Sequence, residues 1–135
     1  PHDAREPTQF VFRHGGRTLG VLTDLGSATP HVLAAYADCD ALCLEFNHEL
    51  ERLLQSDYPP SLRQRVAGAY GHLSNAQAEQ LLTRLRGPRL GRVVAAHLSE
   101  RTNHPDLVAA CLERCAPDLV TTIASQDEVV PWFEV

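Results

Sequence analysis

The chain has 135 residues, 44% of them hydrophobic and 21% charged, a balance that supports one domain with a packed core and excludes a disordered tract. Twelve basic against 17 acidic residues give a net charge of −5, which argues against a generic nucleic-acid-binding surface. No apolar run approaches the roughly 18 residues of a membrane helix, and residues 1–7 carry no signal-peptide pattern, so a soluble cytoplasmic protein is expected.

In chain order, Gln9 to Arg13 and Arg17 to Thr23 are predicted strands. They are joined at His14-Gly15-Gly16, where glycine allows the positive φ of a tight hairpin. Val32, Leu33 and Tyr36 give a short amphipathic helix after Pro30. Ala41 to Phe46 is a nearly continuous apolar run, expected of a strand covered on both faces. Glu49 to Leu54 is helical, and Asp57-Tyr58-Pro59-Pro60 breaks it. Ser61 to Ala69 is predicted helical, and Ser74 with Gln77 three residues on forms a capping box for a helix carrying Ala78, Leu81, Leu82 and Leu85. After Gly87-Pro88 come a strand over Arg92 to Ala96 and a helix from Pro105 with Leu107, Val108, Cys111, Leu112 and Cys115 on one face. Leu119 to Ile123 and Val129 to Phe133 are predicted closing strands, and the alternation of strands with helices makes the class α/β.

Polar residues gather just beyond strands: Asp24 after the second, Asn47 and His48 after the third, His97 after the fourth. In open α/β sheets, sites form beyond the carboxyl ends of strands, so these groups are expected on one edge. An Asp exposed by the turn at Gly26 can bridge two cations, and neutral imidazole is a common ligand for zinc and similar ions. Each also has a plain alternative: a turn residue for Asp24, a hydrogen-bonding group for His97, a solvated terminal residue for His2. His48 is a candidate for phosphate binding or proton transfer, and His72 for proton transfer or a turn hydrogen bond. His14 and His31 are assigned to the surface. Six arginines between Ser61 and Arg92, opposed only by Glu79, give either a solvated helix face or a phosphate-facing patch. Cys39, Cys43, Cys111 and Cys115 lack metal-knuckle spacing and are assigned as buried small hydrophobes, with a metal or redox role as the alternative.

The segments PHDAREP (1–7), GVLTDLG (20–26), CLEFNHELE (43–51), YPPSLRQRVAGAYGHLSNAQA (58–78) and AHLSERTNHP (96–105) together resemble the metallo-β-lactamase superfamily, and within it the YycJ-like metallohydrolases. The resemblance implies the C-terminal half of an αββα sandwich over residues 1–135, a mixed sheet with helices on one face. It implies metal ligation by His2, Asp24 and His97, with Asp24 bridging, and hydrolysis by a metal-bound hydroxide between two divalent ions, zinc or manganese. His48 and His72 are then the catalytic candidates, and Asn47, Ser99, Asn103, Arg63 and Arg65 the substrate-binding ones. A phosphodiester in nucleic acid is the implied substrate.

The superfamily's His-x-His-x-Asp-His motif is absent, so the chain is expected to be a piece of a longer protein, inactive alone and holding no ion or one. His2 is then expected to be mobile, and the sheet face normally covered by the other half to be bare and prone to self-association. Two alternatives remain: a non-catalytic α/β module binding a partner through that face, and a hydrolase of a small ester or thioester.

Overall fold

The computed structural model describes residues 2–135. Five strands form one mixed sheet in the order of the chain: β1 (Phe10–His14), β2 (Arg17–Leu22), β3 (Ala41–Glu45), β4 (Arg92–Ala96) and β5 (Val120–Ile123). β1 and β2 are antiparallel and turn at Gly15 and Gly16, whose φ values of 55° and 78° are those of a two-residue hairpin loop. β2 through β5 run parallel, so the connections between them return over one face as helices: α1 (Pro30–Tyr36), α4 (Asn75–Leu85) and α5 (Pro105–Cys115). Two short helices, α2 (Leu50–Gln55) and α3 (Pro60–Val66), belong to the long excursion between β3 and α4.

Alternation along the strands explains the layering. Leu22, Leu42, Leu44, Val93 and Ala95 share the helix-covered face and are buried, with Leu81, Leu82, Val108 and Leu112 from α4 and α5 packed onto them. Each such leucine or valine contributes roughly 1.5–3 kcal/mol by leaving water. Gly20 lies on this face because Tyr36 fills its place; a Cβ there would stand 2.6 Å from the Tyr36 ring. The Tyr36 hydroxyl donates toward the carbonyls of Phe10 and Val21, pinning the edge hairpin to α1. α4 begins where the sequence marks it, with both halves of the Ser74–Gln77 capping box formed.

The opposite face is open. Phe10 and Phe12 stack with ring centroids 6.0 Å apart and are 52% and 56% exposed, beside half-buried Leu19, Val21 and Cys43. The strand expected over Val129 to Phe133 does not form. Pro131 removes a ladder donor, and Val129 and Trp132 are fully solvated. The segment is held instead by Arg92, whose guanidinium lies 4.6 Å from the Phe133 ring centre. The helix expected over Ser61 to Ala69 ends at Val66, and the chain turns through Gly68 and Gly71. Among the described residues no helix is long and apolar enough to cross a membrane.

Candidate metal centre

The parallel register fixes where the site can be. Leu22 pairs with Leu44, and Glu45 with Ala96, so β2, β3 and β4 end level with one another. Asp24, Glu45 and His97 therefore emerge at one edge, and the loop before α4 brings His72 to them. That approach depends on glycine. A Cβ on Gly26 would lie 2.5 Å from the Gly71 amide, and one on Gly71 would lie 2.2 Å from the Arg65 carbonyl oxygen.

Asp24 Oδ1 lies 3.8 Å from His2 Nε2, 3.8 Å from His97 Nε2 and 4.0 Å from His72 Nδ1. The imidazoles of His2 and His97 flank that of His72 at centroid separations of 5.0 and 5.2 Å. His2 is not a loose terminal side chain, as expected from its position. It is largely buried, and the following residue is anchored by the Asp3 amide donating to the Tyr70 carbonyl at 2.7 Å. Its Nε2 is buried with no hydrogen-bond partner and faces the Asp24 carboxylate.

Glu45 is the residue that sequence reasoning missed. It is 0% exposed, and four donors converge on its carboxylate. The amides of Asp24 and Leu73 donate to it at 2.6 and 2.7 Å, His97 Nδ1 lies at 2.9 Å and His72 Nδ1 at 3.3 Å. Burial pushes the Glu45 carboxyl up, but the hydrogen bonds from His72 and His97 outweigh it and hold the group at about 2. The same contact raises His97 above its ordinary value, against the opposing effect of burial. An ionised Glu45 takes an Nδ1–H from His97, which leaves the Nε2 lone pair facing Asp24. The signal was present: a charge at the end of an apolar strand must find partners or not be buried.

Four residues, Asp24, Glu45, His72 and His97, bring ligand-type atoms within 4.8 Å of one another. With Glu45 saturated by its donors, the atoms left to face a cation include the carboxylate of Asp24 and the Nε2 atoms of His97 and His2. Two imidazoles and a carboxylate suit zinc or manganese, and the unpartnered His2 Nε2 is what a missing electrophile would leave. The residues present thus fit a divalent ion. They supply fewer ligands than two ions need, at about four each.

The other candidates fall differently. His48 was expected to bind phosphate or transfer a proton at the sheet edge but is 1% exposed; burial lowers its pKa to about 4, so it is a neutral interior group. Asn103 is also interior, exchanging two amide hydrogen bonds of 2.9 Å with Asn75 and donating to the Phe46 carbonyl at 2.8 Å. Its side chain therefore holds loops together where substrate contact was expected. Ser99 Oγ is engaged with the Thr102 hydroxyl at 2.9 Å, and Asn47 Nδ2 donates to the His97 carbonyl at 2.9 Å. Arg63 donates to the Leu54 carbonyl, and Arg65 pairs with Asp3 at the pocket that also includes His2 and His72. The arginine cluster is dispersed: Arg86 pairs with Asp118 and Arg89 with Asp40, so it forms no single patch. All four cysteines are free, and burial raises each thiol.

No family model matches the chain. Over 106 residues it is 30% identical to the exodeoxyribonuclease WalJ of Streptococcus pneumoniae, covering 78% of this chain and 39% of that protein. It is 29% identical to the exodeoxyribonuclease YycJ of Bacillus anthracis, covering 78% and 40%. The crystal structure of the metallo-β-lactamase fold protein YhfI from Bacillus subtilis superposes with a TM-score of 0.58 at 16% identity, over 86% of this chain and 40% of that one. The chain has a metallo-β-lactamase fold, and its sequence is similar to those of the WalJ and YycJ exodeoxyribonucleases. It spans about two fifths of the length of the curated relatives it matches. The cluster around Asp24 is where this chain can supply ligands to a divalent ion.

Proposed function

We propose that the chain supplies part of the active site of a metal-dependent phosphodiesterase that hydrolyses DNA. The observation that carries this reading is the convergence of His2 and His97 on one oxygen of Asp24, at 3.8 Å each. Both curated relatives are named exodeoxyribonucleases, which favours DNA among the phosphodiesters. Bound divalent ions supply the positive charge that acidifies water and stabilises the charge developing on the phosphoryl oxygens.

The chain's own residues do the rest. Asp24 and the imidazoles of His2 and His97 would hold the metal, with Glu45 fixing the ring of His97. His72 is half-buried, its Nδ1 held by Glu45, and its position beside Asp24 suits it to deliver a proton to the leaving oxygen. Arg65, at the same pocket, is placed to meet a phosphate in exchange for Asp3. The remaining ligands come from the part of a longer protein that covers the bare face with Phe10 and Phe12.

The test is a nuclease assay on the whole encoded protein with a 5′- or 3′-labelled DNA strand and added manganese or zinc. Stepwise shortening that Asp24→Asn reduces by at least about 100-fold is expected, since Asp24 is the exposed carboxylate that would hold metal in this cluster. Hydrolysis of a thioester with no action on DNA would overturn the substrate. Activity untouched by Asp24→Asn would overturn the site.

A further inference from the structure

Two described residues other than glycine have left-handed backbone: Asp24, φ 55°, and His97, φ 61°. Such a conformation is costly for a residue with a Cβ and persists only where its surroundings hold it. At Asp24 the holder is Glu45, which accepts from the strained residue's own amide at 2.6 Å. At His97 it is a different group. Asn47 Nδ2 donates to the His97 carbonyl at 2.9 Å, directly on the turning peptide. The neighbouring chain reinforces it: the Ser99 amide donates to the Asn47 carbonyl at 2.9 Å, and the Phe46 amide to the Ala96 carbonyl at 3.0 Å.

The Asn47 amide is itself oriented. His48 Nδ1 lies 3.4 Å from Asn47 Oδ1, which turns the amide nitrogen toward His97. His48 cannot drift, because its carbonyl accepts from the Asn75 amide at 2.8 Å and its backbone forms an isolated parallel bridge with Ser74. The geometry points to Asn47 as a positioning residue, with His48 behind it: together they lock His97 in the left-handed turn that aims its Nε2 at Asp24. This replaces the substrate and proton-transfer roles that their sequence positions suggest. The consequence for metal binding rests on the metal reading proposed above.

Asn47→Asp and Asn47→Ala separate the donor from the bulk. The Asp variant keeps the size and the acceptor for His48 but loses the donor to His97. Two measurements are made on the whole encoded protein. The first is the His97 backbone conformation without metal, from the crystal structure or from carbon chemical shifts. The second is the zinc dissociation constant by chelator competition, with the visible absorption of the cobalt-loaded protein as a signature of the ligand set. In both variants His97 is expected to relax to negative φ. Zinc binding should weaken about 10-fold or more, as loss of an outer-shell partner does, and the cobalt bands should shift. His48→Phe, which removes only the orienting contact, should show the same changes to a smaller degree. A left-handed His97 with unchanged zinc affinity in folded Asn47→Asp overturns the inference. So does failure of both Asn47 variants to fold, which would make the residue a requirement of the fold. If His97 relaxes but the wild-type protein binds no zinc or cobalt, the positioning stands and the metal reading falls.

Discussion

Replacing Glu45 with Gln changes one oxygen to an amide nitrogen and leaves the volume alone. The carboxylate accepts from four donors, whereas the amide keeps one acceptor and adds two donors. If the amide oxygen stays with the buried Leu73 amide, the new NH2 faces the Asp24 amide and His97 Nδ1. The Asp24 amide then loses a charged acceptor, which costs about 1.5–3 kcal/mol. His97 escapes the donor–donor clash by carrying its proton on Nε2 and accepting on Nδ1. That removes the lone pair facing Asp24 Oδ1, so divalent affinity should fall 10- to 100-fold, roughly the range for lost outer-shell partners. Urea unfolding of the metal-free protein, chelator competition and long-range nitrogen–proton spectra of the imidazoles measure the three effects separately. Acid adds a fourth. A carboxyl held at about 2 in the fold, against an ordinary 4.5, gives stability that is complete above pH 4.5 and lost as pH falls toward 2. The loss amounts to about 3 kcal/mol and should be missing from Glu45→Gln. Wild-type metal affinity together with an Nδ1-protonated His97 in this variant would refute the orienting role.

Three further outcomes follow from the geometry. His48 is held neutral with its pKa lowered to about 4, so its contribution is present above pH 6.5 and lost as pH falls toward 4. His97, being raised, is fully stabilising below pH 6.5 and Glu45 keeps its contribution above pH 4.5, so a fall of about 2 kcal/mol in urea stability between pH 6.5 and 4.5 belongs to His48 and should flatten in His48→Gln. Gly71→Ala places a Cβ 2.2 Å from the Arg65 carbonyl oxygen and 2.3 Å from that of Val66, so it should destabilise by more than about 2 kcal/mol and displace His72, seen as a changed His72 imidazole shift. Leu82→Ala, in a fully buried position of α4 remote from the site, should cost about 2–5 kcal/mol in urea stability with metal affinity unchanged.

Much of the fold was legible because local signals and burial agree. The Gly15-Gly16 hairpin, the Ser74 cap and the apolar stripe of α5 each name their element without help from distant residues. The level strand ends that bring Asp24 and His97 together also follow from a parallel α/β reading. What sequence could not separate was burial among similar histidines. His48 and His72 both follow short polar turns, yet the first lies inside and the second at the site. Nor could it pair the arginines, whose partners lie far along the chain: Arg65 with Asp3 is 62 residues apart, and Arg89 with Asp40 is 49. Glu45 was legible in principle, but a charge within CLEF is swamped by its apolar neighbours in any averaged pattern.

The strand register has a consequence for how the protein is proofread. Because side chains alternate across a strand, slipping β3 by one position against β2 and β4 would carry Glu45 to the helix side and bring Leu44 or Phe46 beneath the histidines. One carboxylate would then be stranded in oil while an aromatic ring closed the ion's seat. A misaligned sheet therefore loses stability and takes apart the Asp24 cluster in the same step.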